Sequence, residues 1–274
     1  MADYRLLLLL LCGFILIPVK PAKTEITFLD VGQGDGIYLD AGEDVMIDGG
    51  SSSTKKIGEY TIEPFLKSKK TGDIEKAFIS HADGDHVSGM LYLAETGEIR
   101  IRELYLPWCA EDDENYDEIR GIAEHVNYLR AGDTVQLKRG IITCLYPGDE
   151  TASDDMNDQS LVLLYEEENF SALFMGDASI EAEQKLKHLK PVTVLKVGHH
   201  GSKTSTGEEL LEQTKPKLAV LSYGEGNRYG HPSPETVELL EANGIKILRT
   251  AERGAITVLY DRKDCKMYYK MYIN

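Results

Sequence analysis

The sequence predicts an α/β fold of four layers, an αββα sandwich in which two sheets face each other and helices cover the outside. Short β-rich runs with a hairpin turn come first, and later apolar runs each end in a polar, glycine-bearing loop followed by helix-like sequence. Strands followed by helices set their carboxyl ends along one sheet edge, where ligands bind in open α/β folds. The loops placed there carry His81, Asp83, Asp85, His86, Asp177, His199 and His200; with His231, one loop later, they hold five of the seven histidines.

The elements follow in order. EITFLDV (25–31), GIYLDA (36–41) and DVMIDG (44–49) read as strands, with Gly42 and Glu43 at a hairpin turn. A helix is expected over 57–67, then the strand that opens KAFISHADGDH (76–86), a helix over 87–95, the strand IRELYL (101–106) and a helix over 116–130. TVQLK (134–138) and IITCLY (141–146) precede a polar loop, 148–159. SALFMGD (171–177), VTVLKVGHH (192–200) and KLAVLSYGEG (217–226) are the later strands with polar ends. No repeat of solenoid length interrupts them, and 274 residues suit one α/β domain.

The first residues stand apart. Leu6 to Val19 is almost wholly apolar and is followed by Lys20, Pro21 and Lys23. That run is short for a membrane span, which needs about 20 residues, and suits a signal-peptide core. Residues 1–22 are therefore read as a signal peptide or membrane anchor, residues 23–274 as the globular domain, and the protein as secreted or extracytoplasmic. Cys12 falls in that leader, and Cys109, Cys144 and Cys265 make neither a disulfide framework nor a Cys-x-x-Cys clip. With 46 acidic against 30 basic residues the net charge is −16, which counts against a tight non-specific DNA groove without forbidding a local basic patch. The acidic run Glu111 to Glu118 reads as a solvated loop.

His81, Asp83, Asp85 and His86 occupy six positions after an apolar strand. In a turning segment the first pair can face one way and the second another, so four neighbours can serve two cations. Neutral imidazole and carboxylate suit Zn²⁺, Mn²⁺ or Fe²⁺ without a thiolate. Two such cations about 3.5 to 4 Å apart would need a carboxylate from a second strand between them. Asp177, ending LFMGD, is the candidate, and an imidazole from GHHGS would close the second site. The bland alternatives are that Asp85 and His86 cap a helix and that Asp177 caps the helix beginning at Ser179. Asp48 in MIDGG could orient a metal-binding histidine, and Asp30, Gln33 and Asp35 in DVGQGDG could line the mouth; turn roles are the alternative for both. That glycine loop lacks a Walker lysine and the G-x-G-x-x-G spacing, which excludes nucleotide binding of those kinds. Lys203 could reach an anionic substrate, with an exposed lysine as the alternative, and His125 and His188 read as surface residues on helices.

His81, Asp83, Asp85 and His86 match His-x-Asp-x-Asp-His, a variant of the metallo-β-lactamase superfamily signature whose commoner form has His in the third place. FLDVGQGDG, MIDGG, NDQSLVL, LFMGDAS, LKVGHHGSKTS and YGHPSPE resemble successive motifs of one branch, the metallo-hydrolase domain of bacterial competence DNA-uptake channel proteins and its stand-alone relatives. The resemblance runs from about Ile26 to Thr257 and implies the metallo-β-lactamase fold. It further implies that His81 and Asp83 hold one metal, with Asn157 or Ser160 near it. Asp85, His86 and one of His199 and His200 would hold the other, with Asp177 bridging. His199, directly after the strand, is favoured as ligand and His200 is left to orient a ligand or to transfer a proton. Oxygen ligands in place of imidazole favour manganese more than in zinc-only relatives.

The function expected is that of an exported hydrolase with two divalent metal ions, Zn²⁺ or Mn²⁺, cleaving a phosphodiester. Asp85 joins the catalytic set, and His200, His231 or water protonates the leaving oxygen. The substrate would be nucleic acid or a small or envelope phosphodiester, with no stable protein partner and membrane contact only through an uncleaved anchor. Hydrolysis of an ester, thioester or lactam is the alternative within the same class, and a non-catalytic binding module the alternative outside it.

Overall fold

A computed structural model describes residues 23–149 and 155–272. Residues 1–22, with Cys12 and the expected leader, lie outside the described residues. The described chain forms two sheets. The first holds β1 (Lys23–Phe28), β2 (Gly36–Asp40), β3 (Asp44–Gly49), β4 (Asp73–Phe78), β5 (Arg100–Pro107) and β6 (Ala123–Leu129), in that spatial order. The second holds β7 (Thr134–Gln136), β8 (Ile141–Tyr146), β9 (Val162–Glu167), β10 (Phe170–Phe174), β11 (Val194–Lys196), β12 (Leu218–Leu221) and β13 (Lys246–Arg249). β14 (Ala255–Asp261) and β15 (Lys266–Tyr272) return to the first sheet and extend it beyond β1.

Three apolar clusters define the layers. Phe28, Ile37, Ile47, Phe78, Leu163, Phe174, Val220 and Val258 pack between the sheets. Met46, Ile62, Leu66, Val87, Met90 and Leu104 join the first sheet to the helices Glu63–Ser68 and Gly84–Thr96. Met175, Ala182, Leu195, Leu211, Ala219 and Leu240 do the same for the second sheet and its helices. Alternate residues of a strand face opposite sides, so both faces of each central strand are buried, as the unbroken burial of DVMIDG and LAVL shows. The four-layer αββα sandwich read from the sequence is the fold observed.

Pairing directions place the site. β3 to β6 are parallel neighbours, as are β10 to β13, while β1, β2 and β7 to β9 are joined by antiparallel pairs. Asp48 lies at the end of β3, and His81, Asp177 and His199 with His200 follow β4, β10 and β11.

Two expectations are corrected. The expected helix over 116–130 is one short turn, Asp117–Arg120, followed by β6. Ile119, Ile122, Val126 and Leu129 recur at helical intervals of three, four and three, yet β5 offers an open edge, and parallel pairing from Ile101↔Ala123 to Pro107↔Leu129 satisfies the backbone. His125 is thus an exposed strand residue, and His188 sits in a bend outside any helix, also exposed.

Candidate metal centre

The loop after β4 turns directly into the helix Gly84–Thr96, whose N-cap position is Asp83. Asp83 makes no side-chain cap bond; its carboxylate lies 3.6 Å from His81 Nε2 and is 40% exposed. Asp85 and His86 fall inside the first turn, and Asp85 Oδ2 faces His200 Nε2 at 3.6 Å. The helix after Asp177 is capped by Ser179, which accepts the Ala182 N–H at 3.3 Å. Asp177 is therefore free of the capping role and turns inward. Gly34 and Gly50 let the loops close over this helix start: a Cβ would lie 2.4 Å from the Asp85 carbonyl at Gly34, and 2.5 Å from the Gly84 carbonyl at Gly50.

Three imidazoles are held in one manner. His86 Nδ1 lies 3.0 Å from Asp48 Oδ2, an acceptor only, so this nitrogen carries the proton. His200 Nδ1 likewise donates to the Ser222 carbonyl at 3.0 Å. Ser80 gives its N–H and hydroxyl to Asp48, at 2.7 and 2.8 Å, and its oxygen lies 3.0 Å from His81 Nδ1 as an acceptor; Ser160 Oγ stands 3.4 Å away. In its neutral form each ring thus turns the Nε2 lone pair toward the centre. The Nε2 atoms of His81, His86 and His200 and Oδ1 of Asp177 are all buried without a hydrogen-bond partner. Left so, they would carry a desolvation cost of about 1–3 kcal/mol each.

These atoms converge. His86 Nε2 is 3.4 Å from Asp177 Oδ1, and His200 Nε2 is 3.5 Å from Asp177 Oδ2. His81, His86 and Asp177 make one group whose donor atoms lie within 4.8 Å of one another; Asp85, His86 and His200 make a second, and Asp35, Asp177 and His200 a third. Nitrogen and carboxylate donors that are mutually close, buried and otherwise unsatisfied fit divalent cations. Charge says the same. Burial opposes ionisation of Asp177, but His200 and His86 outweigh it and hold its carboxyl well below the usual range. Burial also opposes the charged form of His200, yet the Asp177 carboxylate lifts this imidazole to about 9. The carboxylates of the centre thus draw positive charge to it, on an imidazole or on a cation.

His199, the ligand favoured from sequence, joins none of these groups. Its Nε2 is 3.6 Å from Asp177 Oδ2 and its side chain is 27% exposed, whereas that of His200 is 1% exposed. Both residues adopt left-handed backbone, φ 44° and 54°, so strand alternation does not carry through to them, and the geometry favours His200. Non-glycine residues held there cost on the order of 1 kcal/mol or more each, a strain found where function over-determines the backbone.

Around this core, Ser160 Oγ accepts the Asp177 N–H at 3.2 Å, while Asn157 sits half-buried one short turn earlier. Gln33 is buried; its Oε1 accepts the Gly224 N–H at 3.2 Å, so its amide nitrogen faces His231 Nδ1 at 3.5 Å. Asp30 is half-buried and accepts the Gly32 N–H at 3.4 Å, and burial raises its pKa. Lys203 is exposed. Sequence reasoning missed Lys196: its side chain is 0% exposed and its Nζ lies 2.6 Å from Asp35 Oδ2, while Asp35 Oδ1 stands 3.6 Å from His200 Nδ1. A lone lysine inside VTVLKV was the available signal.

Residues 29–225 match the model of the metallo-beta-lactamase superfamily. The chain belongs to that superfamily. It has the fold of the superfamily's metal-dependent hydrolases, and among solved structures it is similar to one so described, Tm1679, with TM-score 0.53 and 14% identity over 82% of this chain and 95% of that one. A diiron beta-hydroxylase from Streptomyces venezuelae, CmlA, superposes with TM-score 0.55 at 13% identity over 84% of this chain and 53% of that one. In sequence the chain is 32% identical to ComE operon protein 3 of Bacillus subtilis over 90% of its length, and 31% identical to Recombination protein 2 of Haemophilus influenzae over 92%. It is 30% identical over 90% to Competence protein ComA of Neisseria gonorrhoeae. The chain spans about a third of the length of these relatives, 34%, 31% and 34%. No helix among the described residues is long and apolar enough to cross a membrane.

Proposed function

We propose that this superfamily member is a binuclear metal-dependent phosphodiesterase. The observation that carries the reading is that His81, His86 and His200 each bury an Nε2 atom without a hydrogen-bond partner beside Asp177, those of His86 and His200 at 3.4 and 3.5 Å from it and His81 in one donor group with it. His81, with Asp83 in reach, and Asp177 would hold one divalent cation, Zn²⁺ or Mn²⁺; Asp85, His86 and His200 would hold the other, with Asp177 between the two. Bound there, such cations supply Lewis acidity toward a phosphoryl oxygen and lower the pKa of water.

The chain's own residues do the rest. The thirteen-residue helix Gly84–Thr96 points its amino end at the centre, so its free N–H groups and dipole favour a phosphate oxygen there. Asp48, Ser80 and the Ser222 carbonyl fix the tautomers and orientations of the three imidazoles. His231 Nδ1 accepts from Gln33, which leaves its proton on Nε2. Burial, with the nearby imidazoles of His199 and His200, holds His231 down at about 4, so at neutral pH it serves a leaving or phosphate oxygen as a neutral hydrogen-bond donor.

Relatives named for competence and recombination support nucleic acid as the substrate, with an envelope phosphodiester as the competitor. The apolar run Leu6 to Val19 supports action outside the cytoplasm, residues 23–274 being the hydrolase domain. Protein reconstituted with Mn²⁺ or Zn²⁺ is expected to turn over bis-p-nitrophenyl phosphate and single-stranded DNA faster than a p-nitrophenyl ester. Asp177→Ala should lose on the order of 10³-fold in rate, the worth of several kcal/mol of charge stabilisation, with an unchanged circular-dichroism spectrum. Ester turnover alone would move the enzyme to carboxylic substrates, and no turnover with both metals bound would make it a binding module.

A further inference from the structure

Beyond β12, the loop 224–231 carries a ladder of flat side chains leading outward from the metal centre. The His231 ring centroid lies 5.4 Å from that of His199 and 6.3 Å from that of His200. Tyr229 stacks on His231 at 5.7 Å with 25° between the planes. Over Tyr229, 4.9 Å from its centroid, sits the Arg228 guanidinium, which also donates to the Tyr229 hydroxyl at 2.8 Å. Tyr229 is 48% exposed, and Arg228 makes no ion pair among the described residues.

The ladder is fixed before any ligand arrives. Asn227 Oδ1 accepts the N–H groups of Tyr229 and His231 at 3.1 and 3.0 Å, and its amide donates to the carbonyls of Gly224 and His231 at 2.9 and 2.5 Å. Asn227 thus fixes the loop backbone that carries Tyr229, and a preorganised loop spares a ligand the cost of ordering it. The strip also presents a cation at the mouth of a centre in a chain of net charge −16, with Glu225 as the acidic neighbour in the same loop.

We propose that Arg228 and Tyr229 are specificity-determining residues that seat an aromatic base beside the scissile phosphate, so that the preferred substrate is single-stranded nucleic acid. This rests on the phosphodiesterase reading and deepens it. Every base has a π-face, and tyrosine rings and guanidinium planes both stack on bases. The same strip disfavours the competitor. Where an envelope phosphodiester carries a quaternary ammonium headgroup, that headgroup is recognised by bare aromatic rings, and here the ring already carries a cation, which repels a second one.

The test compares the metal-loaded full chain with Tyr229→Leu, Tyr229→Phe and Arg228→Ala on oligothymidylate and on an abasic strand of the same length. Tyr229→Leu is expected to raise KM on oligothymidylate by about 5- to 150-fold, the range for losing one base–aromatic stack, with kcat nearly unchanged. Tyr229→Phe should restore most of the affinity, Arg228→Ala should raise KM in the same direction, and the abasic strand should be indifferent to the Tyr229 variants. Fluorescence anisotropy of labelled oligothymidylate, without turnover, should rank the four proteins in the same order. Equal effects on both strands, or none on either, would overturn the proposal. Turnover of bis-p-nitrophenyl phosphate by the wild type separates the two claims: if it is present while Tyr229 has no effect, the strip alone fails. If the wild type cleaves no phosphodiester, the strip falls with the reading it rests on.

Discussion

Lys196 and Asp35 form an ion pair buried on both sides, in which burial raises the Asp35 pKa and the lysine and His200 more than reverse that, holding the carboxyl well below its ordinary value. Breaking such a pair from one side leaves a charge with no water to solvate it. Lys196→Met is therefore expected to lower stability by about 3–5 kcal/mol, read as a fall in the urea midpoint, and adding Asp35→Asn should recover part of the loss. A cost below about 1 kcal/mol would mean that Asp35 finds another partner. At this scale the sequence pointed to residues whose types suit few tasks, and the structure brings Asp85 and Asp177 together around His86. The sequence was not legible at His199 and His200. The two are adjacent, and only the left-handed backbone at both positions decides which ring reaches Asp177 from the buried side. The Lys196–Asp35 pair was hidden by the separation of its members across two sheets.

At the scale of elements, the loop after GHHGS is clamped by the helix Ile180–Glu183. Glu183 accepts the N–H groups of Thr206 and Gly207 at 2.5 and 2.8 Å, yet burial outweighs these bonds and raises its pKa to about 7. In the unfolded chain the value is about 4.3. Between those values the native state keeps a proton that the unfolded state has lost. The contribution of Glu183 is thus complete below about pH 4.3 and falls away as pH rises toward about 7, by up to ~1.4 kcal/mol per unit. Urea unfolding at pH 4.5, 5.5, 6.5 and 7.5 should show that Glu183→Gln has the shallower slope in this window; an unchanged slope would assign the dependence to another group. Element type was readable for the strands that precede the site, because an apolar run ending in glycine and a polar residue has few other uses. β6 was not readable, because Ile119, Ile122, Val126 and Leu129 keep a helical spacing into it while its backbone pairs along an open sheet edge.

For the whole molecule, one pattern made the architecture legible: parallel strands followed by helices force their loops to a common edge, whatever their order along the chain. What remained hidden is how the two sheets meet, since that depends on the faces brought together by Phe28, Phe78, Phe174 and their neighbours and not on any local motif. The sheet-to-sheet contact brings His81 and His86, from the first sheet, against Asp177 and His200, from the second, so the centre exists only in the folded sandwich. The measurement that bears on this most directly is anomalous X-ray diffraction from crystals of the protein reconstituted with Mn²⁺ or Zn²⁺. Two peaks are expected, one against His81 and Asp177 and one against Asp85, His86 and His200, with Asp177 touching both. Crystals of reconstituted protein with no anomalous peak at this edge, or with peaks that Asp177 does not reach, would contradict the account.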